Sequence, residues 1–79
     1  MERQQIIDCL TPILRDVFRK KDLVLTDSLC ANDVDTWDSV THVMMIDRVE
    51  KEFGIKFRFK ELGRLKNLGD LIDTINCKL

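Results

Sequence analysis

The sequence predicts an all-α fold, a small four-helix bundle of three longer helices and one short one, with a long first loop. Three observations predict it. Apolar residues recur at helical spacing in three separate stretches. Only one short stretch alternates as a strand would, and a lone strand has nothing to pair with. The chain has 79 residues and is 44% apolar, enough for one small core. That length is one domain, residues 1–79, near the lower size limit for unaided folding.

The first helix is expected over Glu2 to Lys21. Ile6, Ile7, Leu10, Ile13, Leu14, Val17 and Phe18 form its stripe. Pro12 removes one backbone bond, but the stripe keeps its phase across it, so a kinked continuous helix is predicted. The weaker alternative restarts the helix with Thr11 as cap and Pro12 in the first turn. A connection from Asp22 to Asp38 follows, rich in Asp, with Leu23, Leu25 and Leu29 as apolar anchors. At about 17 residues it exceeds the usual length and is expected to be functional or locally structured.

The second helix reads Ser39 to Phe53, with Asp38 as N-cap and Gly54 as the left-handed terminator. Val43, Ile46, Val49 and Phe53 are expected to face inward, with Met45 beside them. Val40, Met44, Asp47, Arg48 and Lys51 form the opposite face. Of the adjacent pair Met44 and Met45, one packs and the other is exposed. Ile55, Phe57 and Phe59 then alternate as an extended entrance to a short helix over Arg58 to Leu65. Asn67 caps the last helix, Asp70 stands three residues on, and Leu68, Leu71, Ile72 and Ile75 form its stripe.

Composition removes several functions. Thirteen Lys and Arg stand against fourteen Asp and Glu, which argues against a nucleic-acid binder. No apolar run approaches the roughly 20 residues of a membrane span, and the N-terminus lacks the order of a secretory signal. Three separated Cys and one His form no ordinary metal-ligand pattern, so no metal is expected. Cys9 and Cys77 read as half-buried thiols. The sum is a reduced, cytoplasmic, compact domain, too small to be expected as a conventional multi-step enzyme with its own substrate cavity. His42 lies one turn after Ser39, but no oriented acid or oxyanion donor accompanies the pair, and Cys30 fares no better as a nucleophile. Trp37 is expected to cover the helix start against His42.

Asp35-Thr36-Trp37-Asp38-Ser39-Val40 carries the most information. It sets a serine in the first turn of a helix, after an exposing loop. Free N–H groups there favour a phosphate on that oxygen, while Asp35 and Asp38 oppose it. Asp38-Ser39-Val40 resembles the Asp-Ser-Leu that opens the second helix of acyl carrier proteins. Glu50-x-Glu52-Phe53, Gly54-Ile55-Lys56-Phe57 and Leu68-Gly69-Asp70-Leu71-Ile72-Asp73-x-Ile75 resemble later segments of that family. The likeness covers essentially the whole chain.

That resemblance implies a non-catalytic carrier. Ser39 would hold 4′-phosphopantetheine, transferred from coenzyme A by a phosphopantetheinyl transferase that recognises Asp38. The arm would carry an acyl group as a thioester, with Val43, Ile46, Leu65, Leu71 and Ile75 as lining for the chain. The partners implied are acyl or aminoacyl ligases and acyltransferases, with no nucleic acid.

Val40, Met44, Asp47, Arg48, Lys51, Arg58 and Arg64 form the expected recognition surface. Its departures from the family point to a specialised pathway. Arg48 and Lys51 add positive charge to the second helix, and Arg58, Lys60, Arg64 and Lys66 make the short helix basic. A basic face disfavours partners built for acidic carriers. An aminoacyl or peptidyl carrier, such as a D-alanyl carrier, is the alternative within the class. An unmodified helical interaction module is the alternative outside it.

Overall fold

The computed structural model describes residues 1–79, and its regular elements are all helical. In chain order they are α1 (Arg3–Val17), a 3₁₀ turn (Ala31–Asp33), α2 (Ser39–Phe53), α3 (Phe59–Leu62) and α4 (Leu68–Lys78). α1 packs against both α2 and α4. It contributes Ile6, Leu10, Ile13, Leu14 and Val17 to the core. Met45, Ile46 and Val49 enter from α2, and Leu68, Leu71, Ile72 and Ile75 from α4. Phe18, Leu29 and Val34 complete it from the first connection. Burying this one continuous cluster is the main force that holds helices too short to persist alone.

α1 runs unbroken through Pro12, as its uninterrupted stripe predicts. It stops four residues before the expected Lys21. Phe18 caps it, and Arg19 turns into the left-handed region with φ 56°. The Arg19 N–H donates to the Asp16 carbonyl (3.3 Å) and the Lys20 N–H to the Arg15 carbonyl (3.0 Å), closing a paired C-terminal motif. Phe18 itself leaves the helix but stays fully buried.

The long connection is locally structured and tied at several points. Thr36 Oγ1 donates to the Phe18 carbonyl (2.6 Å), and Arg15 Nε to that of Leu23 (2.9 Å). The first N–H groups of α4 also reach it: Leu68 donates to the Leu29 carbonyl (2.8 Å) and Gly69 to that of Asp27 (2.9 Å). This explains Gly69. A Cβ there would stand 3.1 Å from the Asp27 carbonyl oxygen, a backbone atom held by the bond just described. Arg3 joins the same corner, 2.9 Å from Asp27 and 2.5 Å from Asp73. Of the apolar anchors, Leu29 is buried, while Leu23 and Leu25 are half-buried against the core.

α2 matches its expected bounds, but its faces are rotated from expectation. Val43 is 66% exposed, and Met45 takes the buried place at 1%. At about 100° per residue, Met45, Ile46, Val49 and Phe53 share one arc and Val43 falls about 60° beyond its edge. Met44 is correspondingly the exposed member of its pair. α3 is one turn rather than the expected Arg58–Leu65, because Gly63 and Arg64 form a turn after Leu62. Cys77 is exposed, since α4 turns it away from Ile75 and the core.

Gly54 ends α2 at φ 65°, and a Cβ there would meet nothing within 4 Å. A substitution would therefore act through backbone strain alone. Gly54→Ala should cost about 1 kcal/mol, the left-handed penalty less the entropy gained in the unfolded chain. The measurement is a shift of the urea midpoint at constant slope.

Candidate functional site at the start of α2

Asp38 builds the site. Its Oδ1 accepts from the N–H groups of Val40 and Thr41, both at 2.9 Å. Its own N–H donates to Thr41 Oγ1 (2.9 Å), and that hydroxyl donates onward to the Thr36 carbonyl (2.7 Å). The Thr41 N–H above all, with help from that of Val40, holds the Asp38 carboxyl below the usual carboxylate range, although burial opposes them. The helix N–H groups expected to favour a phosphate are thus already engaged by Asp38, and the dipole adds little.

Ser39 follows as the first residue of α2. It is exposed, and its hydroxyl takes part in no hydrogen bond within the chain. It stands at the edge of an open depression of about 480 Å³, lined by Ala31, Trp37, Asp38, Ser39, His42 and Val43. The oxygen is presented to solvent beside a partly apolar shelf.

Trp37 forms the floor of that shelf. Its ring stacks on Phe18 with centroids 4.8 Å apart and on His42 at 6.2 Å. Trp37 Nε1 donates to His42 Nδ1 at 3.1 Å. Trp37 therefore packs against His42 at the helix start, as expected, and His42 is committed to it rather than to Ser39. Accepting at Nδ1 requires the neutral ring with its proton on Nε2. Burial lowers the His42 pKa in agreement.

A histidine whose pKa is depressed on folding supports stability most fully above its unfolded value. That support declines as pH falls through about 6.5 toward the lower folded value. The protein should therefore lose urea resistance between pH 7.5 and pH 5, and His42→Phe should flatten the dependence. Trp37 is the only tryptophan, so its fluorescence should titrate with a midpoint below about 6.5.

The rest of the expected recognition surface is dispersed. Val40 (67% exposed) and Met44 (49%) project from α2. Arg48 lies 2.6 Å from Asp16 of α1, and Lys51 lies 3.0 Å from Asp47, so two of the cations on this face are neutralised within the chain. Arg58 and Arg64 have no acidic partner of this kind, because Glu61 is 2.7 Å from Lys78. Lys78, followed by the Arg58 N–H, holds the Glu61 carboxyl low. Of the expected lining residues, Ile46, Leu71 and Ile75 lie in the core and Leu65 packs against it; Val43 sits outside, on the shelf beside Ser39. No three His, Cys, Asp or Glu side chains converge on a metal position.

The chain resembles the acyl carrier protein of Coprothermobacter proteolyticus, with 32% identity over 80 residues, spanning 100% of this chain and 96% of the relative. The chain belongs to the acyl carrier protein family. The solution structure of the holo acyl carrier protein from Geobacter metallireducens superposes with a TM-score of 0.86 and 47% identity, over 91% of this chain and 83% of that one. A comparison with protein-family models finds no match. Acyl carrier proteins carry a substrate rather than transform it, and the family implies a phosphopantetheine prosthetic group. An exposed, unencumbered serine hydroxyl fits such an attachment. No helix of this acyl carrier protein is long and apolar enough to cross a membrane.

Sequence reasoning missed Phe18 as the support of Trp37, and Asp16 as the neutraliser of Arg48. Phe18 looked like one more member of a periodic stripe. Asp16 is 32 residues from its partner and carries no local signal.

Proposed function

We propose that Ser39 is the attachment point of 4′-phosphopantetheine and that the protein presents acyl thioesters to partner enzymes in a specialised pathway. The observation that carries the reading is the free, solvent-facing Ser39 hydroxyl at the first position of α2, in a chain of this family. During loading from coenzyme A, the Ser39 oxygen would yield its proton to a base of the phosphopantetheinyl transferase and form a new P–O bond to the pantetheine-bearing phosphorus, while the diphosphate P–O bond of coenzyme A breaks and adenosine 3′,5′-bisphosphate leaves. Asp38 fixes the backbone from which that oxygen projects. When bound, the group supplies a terminal thiol that holds the acyl chain. Tethering then raises the effective concentration of substrate at a partner's active site.

Val40, Met44 and Asp47, with Arg48, Lys51, Arg58 and Arg64, form the surface read by ligases and acyltransferases. Ile46, Leu65, Leu71 and Ile75 are the side chains an acyl group inserted between the helices would meet. The protein acts as a cytoplasmic monomer.

The test is intact mass after incubation with coenzyme A and a broad-specificity transferase. One pantetheinyl increment, mapped to the Ser39 peptide, is expected. Its absence would leave an unmodified interaction module. The basic segment from Lys56 to Lys66 supports a dedicated partner set over a fatty-acid synthase, so acyl elongation in a reconstituted synthase should be poor. Loading of D-alanine by an adenylating ligase would select the aminoacyl carrier instead.

A further inference from the structure

Between Lys56 and Lys66 the chain carries Lys56, Arg58, Lys60, Arg64 and Lys66, with Glu61 as the only acid. That acid is taken by Lys78 of α4. None of the five cations has an ion-pair partner; of the other eight, Arg3, Lys20, Arg48, Lys51 and Lys78 are paired and Arg15, Arg19 and Lys21 are not. At the start of the turn stands Phe59, 90% exposed and the most exposed of the large apolar side chains. Phe59 thus differs from its half-buried neighbour Phe57, which packs against the core.

Phe59 is not needed to hold α3. The turn is closed by the Arg58 N–H donating to Glu61 Oε1 (2.7 Å), and Leu62 packs it against the core. A scattered exposed apolar residue is ordinary. An almost fully exposed phenylalanine among unpaired cations has the form of an interface anchor with its own steering charge.

We propose that Phe59 is a docking knob for a partner protein whose acceptor is an apolar socket rimmed with Asp and Glu. The inference rests on the carrier reading, because a carrier must dock and leave repeatedly. One aromatic anchor with charge steering gives rapid, salt-sensitive association without a large buried area. A protein acceptor is favoured over a lipid surface on geometry. One aromatic ring on a single turn lacks the long apolar face that seats interfacial helices.

The test replaces Phe59 with the photoreactive p-benzoylphenylalanine in the full chain. The protein is irradiated in extract of its own cells and the cross-linked segment is sequenced. Cross-links should fall on apolar residues flanked by carboxylates. Yield should drop at least tenfold between about 50 mM and about 500 mM salt, where screening collapses the steering field. The same drop is expected when Arg58→Glu and Lys60→Glu are combined. No cross-link, a segment without carboxylates, or indifference to salt and charge reversal would overturn the proposal.

Phe59→Ala should keep the wild-type circular dichroism and sediment as a monomer, as the wild type should. A wild-type dimer abolished by Phe59→Ala would assign the knob to a second copy instead. Co-sedimentation with vesicles of phosphatidylglycerol and phosphatidylcholine, lost in Phe59→Ala, would assign it to a lipid surface. Ser39 loading, read by intact mass, should be equal in wild type and Phe59→Ala. Failure of both to load would strike the carrier reading and leave the cross-linking result to be judged alone.

Discussion

Ser39→Ala should give a folded protein that accepts no pantetheinyl group. The change removes one exposed oxygen and no hydrogen bond, so stability should stay within about 0.5 kcal/mol. Asp38 continues to cap α2 through Val40 and Thr41, so the recognition geometry survives. The loss should therefore be complete in chemistry and negligible in structure, a combination that a misfolded variant cannot imitate. Intact mass and thermal unfolding on the same sample measure the two halves. A pantetheinyl increment persisting in Ser39→Ala would place the attachment elsewhere and overturn the reading.

Phe18→Ala should have the largest effect on stability. Phe18 is fully buried, ends α1, and supports the Trp37 ring on which the shelf beside Ser39 is built. Large-to-small changes of this kind cost about 3–5 kcal/mol. A chain of this length has a total of only about 4–12 kcal/mol to lose. The variant should be partly or wholly unfolded at 37 °C, with a sharply lower urea midpoint. Trp37 emission should shift to the red as the indole loses its stacking face. Phe18→Leu should recover most of the loss, because it fills most of the volume. A cost below about 1 kcal/mol for Phe18→Ala would show that the site collapses around the gap and that the aromatic stack contributes little.

Much of this fold is legible in the sequence, and the reason is local chemistry. α2 and α4 begin where Asp38 and Asn67 can accept backbone N–H groups, and α2 ends at a glycine with positive φ. Such signals act over a few residues and can be read as a string. The end of α1 could not be read this way. Its terminator is Arg19, a residue type that seldom takes the left-handed conformation, and the apolar period runs on into Phe18. The rotation of α2 was missed because Val43 and Met45 both suit a stripe, and only packing against α1 chooses between them. At the site, Asp38 and Ser39 were legible. The neutralisation of Arg48 was not, because charge in a sequence is counted without knowing which acid a fold will bring beside it. Asp16 arrives only by tertiary packing.

The bonds from Thr36 to the Phe18 carbonyl and from the start of α4 to Asp27 and Leu29 stitch the first connection to two different helices. The serine thus projects from a stationary mount rather than from a flexible strap. If it bears a swinging arm, the radius that cargo can sweep is set by the arm's own length and not lengthened by yielding backbone. Each client enzyme must then come close and square to the mount, so that orientation at docking governs who receives the load.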